Sequence, residues 1–511
     1  MAKRALISVY NKDKLVEFAE KLTEGYGWEI VATGSTFDLL NNSGIKAKEI
    51  SEITGKRQFI NGKVKTLYPD VFAGILADMN NESEKADIEK SGINLFDMVV
   101  VNFYPFEEAV QKGVDEIELI NTIDIGGPSM LRAAAKNNRR VLAVSFPEQY
   151  KRVLEDLKEH NGETSLQLRR EFALKVFEKT LDFDTKILHE LSNRFEENSD
   201  NYYSLNIKKA KDLRYGENPH QKAGIYYTNN TVNYEVLNGK ELSYNNILDV
   251  TACTNILSEF YDVPGCVIIK HNTPCGAALG KDITEAWKKA LDCDPLSAFG
   301  GIVGFTQKID EKLAKELTAM FLEVIVAPDY TEEAIAQLKT KKNLRVIKLN
   351  TSLLEYKNYL SEEIRITPFG TLVQDMDKGE LNKDDFKVVT KTKPTAEMVE
   401  DMIFAWKIAK HAKSNAIVVA KDFKAIGIGQ GQTSRVDAFE IALNRACDSS
   451  KDAVAASDGF FPAIDNIHVA AQGRIAAIIQ PGGSIKDEEV IKTADKYNIA
   501  MITTGIRHFR H

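Results

Sequence analysis

Short apolar runs separated by amphipathic stretches set the rhythm of the first 150 residues. The runs at 5–9, 29–32, 98–101 and 141–144 predict strands, with helical periodicity at 14–22 and 128–137 between them. Strands alternating with helices pair in parallel, so this part predicts a doubly wound α/β sheet. Residues 166–192 predict one long helix. The polar, acidic run at 196–201 then reads as a linker.

Beyond residue 201 the pattern changes, and two regions read as loose copies of one unit about 150 residues apart. Val267-Ile268-Ile269, a Gly-containing turn, a helix through Ala286 and Ala290, and Ser297-Ala298-Phe299-Gly300-Gly301 form the first. Residues 416–420, the Gly-rich 427–431, a helix through Ala438 and Ala442, and Ser457-Asp458-Gly459-Phe460-Phe461-Pro462 form the second. A duplicated α/β domain is expected, with a ligand cleft between its halves.

The chain of 511 residues is too long for one core, and its 43% hydrophobic and 27% charged residues are ordinary for a soluble protein. A net charge of −8 argues against nucleic acid, which demands a basic face. Five scattered cysteines (253, 266, 275, 293 and 447) predict reduced thiols and no zinc site. The first apolar stretch is too short for a signal peptide, and no segment reaches the roughly 18 apolar residues of a membrane span. A cytoplasmic protein with no membrane partner is expected.

Lys270-His271-Asn272-Thr273-Pro274-Cys275-Gly276 follows the buried-strand run directly. Pro274 and Gly276 predict a turn there, presenting an ammonium and an imidazole at a strand end. Both groups carry protons near neutrality. In the first domain, Ala32-Thr33-Gly34-Ser35-Thr36 opens a helix, and two readings fit: an anion site or an N-cap. The spacing of Lys63 and Lys65, after the Asn61-Gly62 turn, puts both on one side of an extended segment; solvated lysines are the alternative. Asp124 precedes Gly126-Gly127-Pro128, with Pro128 expected as the first helical residue. Arg132 and Lys136 share a face of that helix. Asn102 and Tyr104 end the run at 98–101. Lys65, Tyr104, Asp124 and Lys136 thus read as a polar site at the carboxyl ends of parallel strands. Tyr104 as a core tyrosine and Asp124 as a turn cap are the structural alternatives.

In the second half, Arg214 beside Tyr215 suits a phosphate or an aromatic ring. The amides of Asn245 and Asn246 suit a carboxamide. Asn415 precedes a strand, Asp465-Asn466 follows Phe461-Pro462, and the terminal Arg507-His508-Phe509-Arg510-His511 reads as a loose tail or as a segment folded back onto a site. The duplicated layout invites comparison with zinc deaminases, but their H-x-E and P-C-x-x-C signature is missing, which excludes that chemistry.

These segments, in order, resemble the bifunctional purine-biosynthesis family that joins AICAR transformylase to IMP cyclohydrolase. V-K-T-L, I-D-I-G-G-P, R-Y-G-E-N-P-H-Q, K-H-x-x-P-C-G, S-A-F-G-G, G-Q-x-S-R, S-D-x-F-F-P and the closing R-H-F-R-H carry the resemblance. It implies a methylglyoxal-synthase-like cyclohydrolase domain over 1–198. A transformylase over 199–511 would follow, with two cytidine-deaminase-like subdomains meeting near 385/386 and a homodimer completing the site. Formyl would pass from 10-formyltetrahydrofolate, a cosubstrate, to the 5-amine of AICAR, and formyl-AICAR would then close to IMP. The resemblance calls for no metal or prosthetic group and leaves room for a monovalent cation.

It assigns proton transfer to His271 and Lys270, with Asn415 and Asp465 on the folate side beside Phe461 and Pro462. Arg214, Tyr215, Asn246, Phe299, Gly300, Arg507 and His511 match nucleotide-holding positions. In the first domain, Lys65, Tyr104, Asp124 and Lys136 would handle ring closure, and Ser8, Lys12, Ser35, Thr36, Lys63, Thr66 and Asn102 the substrate. Lys63, Tyr68, Thr273 and Ala463 depart from the family pattern, and Ala463 puts folate stacking there in doubt. One lost activity, a non-catalytic nucleotide sensor, and a lone methylglyoxal-synthase-like lyase in the first domain are the rival readings; intact proton carriers argue against the first two, and the attached second half against the third.

Overall fold

The computed structural model describes residues 2–55, 60–195, 203–205, 207–227 and 233–511. The chain divides into two compact units, Met1–Asn206 and Ile207–His511. The expected linker at 196–201, with the expected boundary at 198/199, lies outside the described residues. Among the described residues no helix is long and apolar enough to cross a membrane.

The N-terminal unit is built on five strands, β1 (Arg4–Val9), β2 (Glu29–Ala32), β3 (Ala47–Glu49), β4 (Met98–Asn102) and β5 (Leu142–Val144), in the order β3-β2-β1-β4-β5. All four pairings are parallel. Alternation sorts the side chains: Leu6, Val31, Val99 and Val101 pack on one face, and Ala5, Ile7, Ile30 and Val100 on the other. Helices cover both faces, as the doubly wound expectation requires. β3 escaped the sequence reading because Ala47-Lys48-Glu49 is short and polar. The long helix spans Leu166–Arg194, and the helix after Asp124 spans Gly126–Lys136. That start makes Pro128 its third residue, a correction to the first-position reading.

The C-terminal unit opens with a hairpin, β6 (Lys208–Leu213) and β7 (Ala223–Tyr227). Its first half then supplies β8 (Tyr234–Asn238), β9 (Gly265–Lys270), β10 (Thr273–Leu279), β11 (Ile302–Phe305), β12 (Val324–Ala327) and β13 (Arg345–Leu349). After a second hairpin, β14 (Glu362–Thr367) and β15 (Gly370–Asp375), come β16 (Lys387–Val388), β17 (Ile417–Lys421), β18 (Lys424–Gly429), β19 (Val454–Ser457), β20 (Ala477–Gln480) and β21 (Ala500–Thr503). Twelve of these form one sheet, ordered β16-β21-β20-β19-β17-β18-β10-β9-β11-β12-β13-β8. The orders β10-β9-β11-β12-β13 and β18-β17-β19-β20-β21 are the same motif twice, which is the duplication read from the sequence. The copies meet where β10 lies antiparallel to β18.

One face of this sheet packs under a single apolar layer shared by both copies, through the helices Tyr244–Ser258 and Ala396–Ala409. The opposite face carries a separate core for each copy. Equivalent glycines let helices press onto the sheet. A Cβ on Gly276 of β10 would collide with the carbonyl of Ala290, and one on Gly427 of β18 with that of Ala442.

Candidate functional site

Two polar clusters emerge, one in each unit, both at strand ends. In the N-terminal sheet, β1 leads to β2 on one side and β4 lies on the other, so the crevice opens beyond Val9 and Asn102. Asn102 straddles it: its Oδ1 accepts from the backbone N–H of Tyr10 at 2.7 Å and of Asn11 at 2.9 Å. Its Nδ2 donates to Asn11 O at 2.9 Å, so the amide shapes the crevice wall. Lys12, half-buried, turns its ammonium back to Tyr10 O at 3.3 Å.

The helix Gly34–Asn42 starts on the same edge. Ser35 is exposed there, whereas Thr36 is buried, with its hydroxyl bonded to the backbone of Val9 at 3.1 Å. That commitment corrects Thr36 as an anion ligand. The N-cap reading fails too, since Thr33 makes no side-chain cap and its hydroxyl pairs with Ser8 Oγ at 2.7 Å.

Residues 63–66 form successive turns, which corrects the extended reading. The turns point the three side chains apart. Lys63 Nζ donates to Asn121 Oδ1 at 2.9 Å, Lys65 Nζ lies 3.1 Å from where a Cβ on Gly34 would stand, and Thr66 Oγ1 lies 2.7 Å from one on Gly126. Lys65 therefore joins the crevice and Lys63 does not.

Asp124, half-buried, accepts from Gly127 N at 2.9 Å, so it holds the helix start as well as facing the crevice. Burial raises its carboxyl above the ordinary range, opposed by the Gly127 bond and by the charges of Lys65 and Lys179. Tyr104 is no core tyrosine: it is half exposed and meets Tyr10 edge to face at 5.8 Å. Its phenol is raised by burial and by the charge of Asp124. Lys136, by contrast, ends its helix exposed. At the helical rise of about 1.5 Å per residue it stands roughly 15 Å from the Asp124 end, so within the chain it is not brought to this cluster.

Lys179 takes a place that the sequence reading missed. Its ammonium donates to Ser145 O and lies 3.9 Å from the Phe146 ring centre and 4.9 Å from that of Phe103. Burial lowers it to about 8, against the raising charges of Glu148 and Asp124. The signal was legible: Phe172, Val176, Lys179 and Phe183 share a helical stripe, which puts a lysine on the apolar face.

In the C-terminal unit, five separate segments end at one edge of the long sheet. β9 runs out at Lys270, and the antiparallel register sets Ile269 opposite Ile302, just after Phe299 and Gly300. Across the seam, Ile417 pairs with Gly429 and with Ser457, which brings Asn415 and Asp458 to the same edge. Gln430 Nε2 crosses the seam to Pro274 O at 3.0 Å. The strand of Lys270 and that of Asn415 are three spacings apart, about 14 Å.

The turn falls at His271 and Asn272, both left-handed with φ of 54° and 61°. Thr273 to Gly276 already belong to β10, which bulges at Pro274 to Gly276 instead of turning there; this corrects the expected position. Lys270 and His271 therefore diverge. Lys270 Nζ donates to Phe299 O at 2.8 Å and Gly300 O at 3.0 Å, which leaves one of its three donors. His271 is exposed at the hairpin tip, within the field of Asp249, which accepts from Asn272 N at 2.5 Å. Phe299 is exposed and packs against Phe321 at 5.5 Å.

Asn415 Nδ2 donates to Gln432 O at 2.9 Å and its Oδ1 accepts from Arg435 at 2.7 Å. Asp465 is exposed at the start of the helix Asp465–Gln472, with Pro462 exposed nearby. Phe461 is 1% exposed and packs against Phe439 inside the core, which corrects its assignment to a folate surface. Asn246 is likewise committed: it closes a capping box with Ser243, so its amide oxygen is spent on the helix. Arg214 is exposed and lies 5.3 Å from the ring of Tyr215, after β6.

The terminal segment folds back. Arg510 O accepts from Ser414 N at 2.9 Å, His508 is 1% exposed against Trp406, and Arg365 reaches His511 O at 2.9 Å. The side chains of Arg507 and His511 remain exposed.

Fold and clusters together define a two-part α/β enzyme. A family model described as an AICARFT/IMPCHase bienzyme matches residues 134–445, and one described as an MGS-like domain matches residues 14–129. The bifunctional purine biosynthesis protein PurH of Caldicellulosiruptor saccharolyticus is 47% identical over 520 residues, with all of both chains covered. That of Persephonella marina is 46% identical over 525 residues, again covering both chains in full. That of Aquifex aeolicus is 46% identical over 517 residues, covering 99% of this chain and 100% of its own. The chain belongs to the bifunctional purine biosynthesis family.

Proposed function

We infer that this chain carries out the last two steps of IMP synthesis, as an AICAR transformylase and an IMP cyclohydrolase. The observation that carries the reading is the meeting of Lys270, Phe299, Gly300, Asn415 and Arg435 on one sheet edge, in a chain whose other unit holds a second proton-carrying cluster.

In the first step the 5-amine of AICAR attacks the formyl carbon of 10-formyltetrahydrofolate. The new N–C bond forms, the folate N10–C bond breaks, and tetrahydrofolate leaves. The amine is conjugated into the imidazole and must lose its proton as it attacks. His271 takes that proton, and Lys270, through its uncommitted N–H, stabilises the oxyanion or protonates the departing nitrogen. Asn415 and Asp465 face the folate side. Arg214, Tyr215, Phe299, Gly300, Arg507 and His511 hold the nucleotide. The cluster is an open shelf on one chain, which supports a homodimer in which a second subunit closes it.

In the second step the carboxamide nitrogen attacks the formyl carbon and water leaves. Ring closure is intramolecular, so positioning supplies much of the acceleration. Lys65, Tyr104 and Asp124 handle the protons, and the crevice near Ser8, Lys12 and Ser35 takes the phosphate. Folate acts as cosubstrate, no metal or prosthetic group is required, with room left for a monovalent cation, and the enzyme works in the cytoplasm on small molecules, without nucleic acid or membrane. The cyclohydrolase occupies 1–198, and the transformylase halves meet near 385/386.

Incubation with AICAR and 10-formyltetrahydrofolate, followed spectrophotometrically to IMP, tests the reading. IMP formation supports it; accumulation of formyl-AICAR without IMP would leave a single-activity enzyme.

A further inference from the structure

We propose that Lys179 is a positioning residue of the ring-closing site, its ammonium fixed at the strand end where Asp124 stands. This rests on the cyclohydrolase reading of the N-terminal unit.

Three contacts fix the ammonium: Ser145 O beyond the end of β5, the Phe146 ring, and the Phe103 ring beyond the end of β4. It therefore sits at the carboxyl edge of the sheet, in the gap between β4 and β5. Asp124 stands at the same edge, because a Cβ on Gly127 would touch both Asp124 Oδ2 and Val101 Cγ1 of β4, and the Lys179 charge acts on it. Ring faces and a carbonyl hold this cation, and among the described residues no carboxylate pairs with it. Its field thus reaches the half-buried Asp124, where the reduced dielectric strengthens it. Among the described residues the charged groups facing the pair are few. Glu148, on the turn Pro147–Gln149, and Asp124 act on Lys179; Lys65, from the turns at 63–66, and Lys179 act on Asp124; the Tyr104 phenol feels Asp124. Arg132, on the helix after Asp124, is turned to Thr180 and Phe177 instead.

A lysine with those contacts could equally be a staple tying the long helix to the sheet, and the pH profile separates the roles. The full-length enzyme closes supplied formyl-AICAR, and kcat/KM is measured against pH for the wild type, Lys179→Met and Lys179→Arg. Loss of the ammonium makes Asp124 harder to ionise, so the acidic limb of Lys179→Met moves up by about one pH unit. Lys179→Arg keeps a positive charge and restores the wild-type acidic limb. An unmoved acidic limb in Lys179→Met with a lowered unfolding temperature makes Lys179 a staple and overturns the proposal. Should Lys179→Met fail to fold, Lys179→Gln removes the same charge behind a polar end, and an unmoved acidic limb in that variant overturns the proposal. A wild type that cannot close the ring overturns the cyclohydrolase reading and this proposal together.

Discussion

Arg435 grips Asn415 and Asp458 at once. Nη2 donates to Asn415 Oδ1 at 2.7 Å, while Nη1 donates to Ser457 Oγ at 2.9 Å and pairs with Asp458. Arg435 is 7% exposed and Asp458 1%, so the fork positions Asn415 from inside the protein. Arg435→Met leaves Asp458 buried without its partner, and breaking such a pair costs about 3–5 kcal/mol. The expected outcome is a lowered urea midpoint together with loss of formyl transfer. Supplied formyl-AICAR should still close to IMP if, as proposed, that chemistry is carried by the other unit. Arg435→Lys keeps the charge but cannot hold both partners.

His271→Ala should reduce formyl transfer by roughly two to four orders of magnitude, the usual contribution of a positioned proton carrier. Ring closure of supplied formyl-AICAR should be unchanged. Parallel assays of the two steps decide it, and loss of both activities in a folded variant would refute separate sites.

Gly127→Ala tests the geometry around Asp124. A Cβ at Gly127 would run into Asp124 Oδ2 and come within 3.1 Å of Val101 Cγ1. The carboxylate must swing away and break its 2.9 Å bond from Gly127 N. Cyclisation should fall well below the wild-type rate while formyl transfer, assayed by tetrahydrofolate release, persists. Normal ring closure in this variant would mean that the placement of Asp124 does not matter.

Acid should weaken the C-terminal unit. Glu259, 6% exposed, pairs with Lys410 at 3.0 Å, His411 at 3.2 Å and Lys357 at 3.3 Å. Burial pushes its carboxyl up, but His411 and Lys410 more than offset that and hold it well below the usual range. His411 is lowered by burial, which Glu259 only partly opposes. Both groups have folded pKa values below their unfolded ones, so each contributes stability above its unfolded pKa and loses it as pH falls. The unfolding midpoint should therefore drop from about pH 6.5 downward, where histidine first titrates, and further below about pH 4.3. Urea titrations at several pH values check this; a flat profile would exclude the network as a source of stability.

The alternation of β1, β2, β4 and β5 with helices was legible because buried parallel strands are continuous apolar runs, and the duplication was legible in Val267-Ile268-Ile269 and its later counterpart. Positions set by tertiary contact were not. His271 and Asn272 adopt left-handed backbone that Pro274 and Gly276 advertised more loudly, so the turn was placed three residues late. Thr36, Asn246 and Phe461 carry the right chemical groups, but Val9, Ser243 and Phe439 already occupy them. Lys179 was overlooked because a lysine in a long amphipathic helix is usually solvated.

The apolar layer beneath the twelve-stranded sheet belongs to neither copy alone: Cys253, Ile256 and Leu257 from one share it with Met402, Phe404 and Ile408 from the other, and the rings of Phe260 and Phe404 lie 5.4 Å apart. A cut near residue 385 would strip each fragment of half its roof and wet the remainder. Because the copies share this layer, they are expected to melt as a single cooperative block.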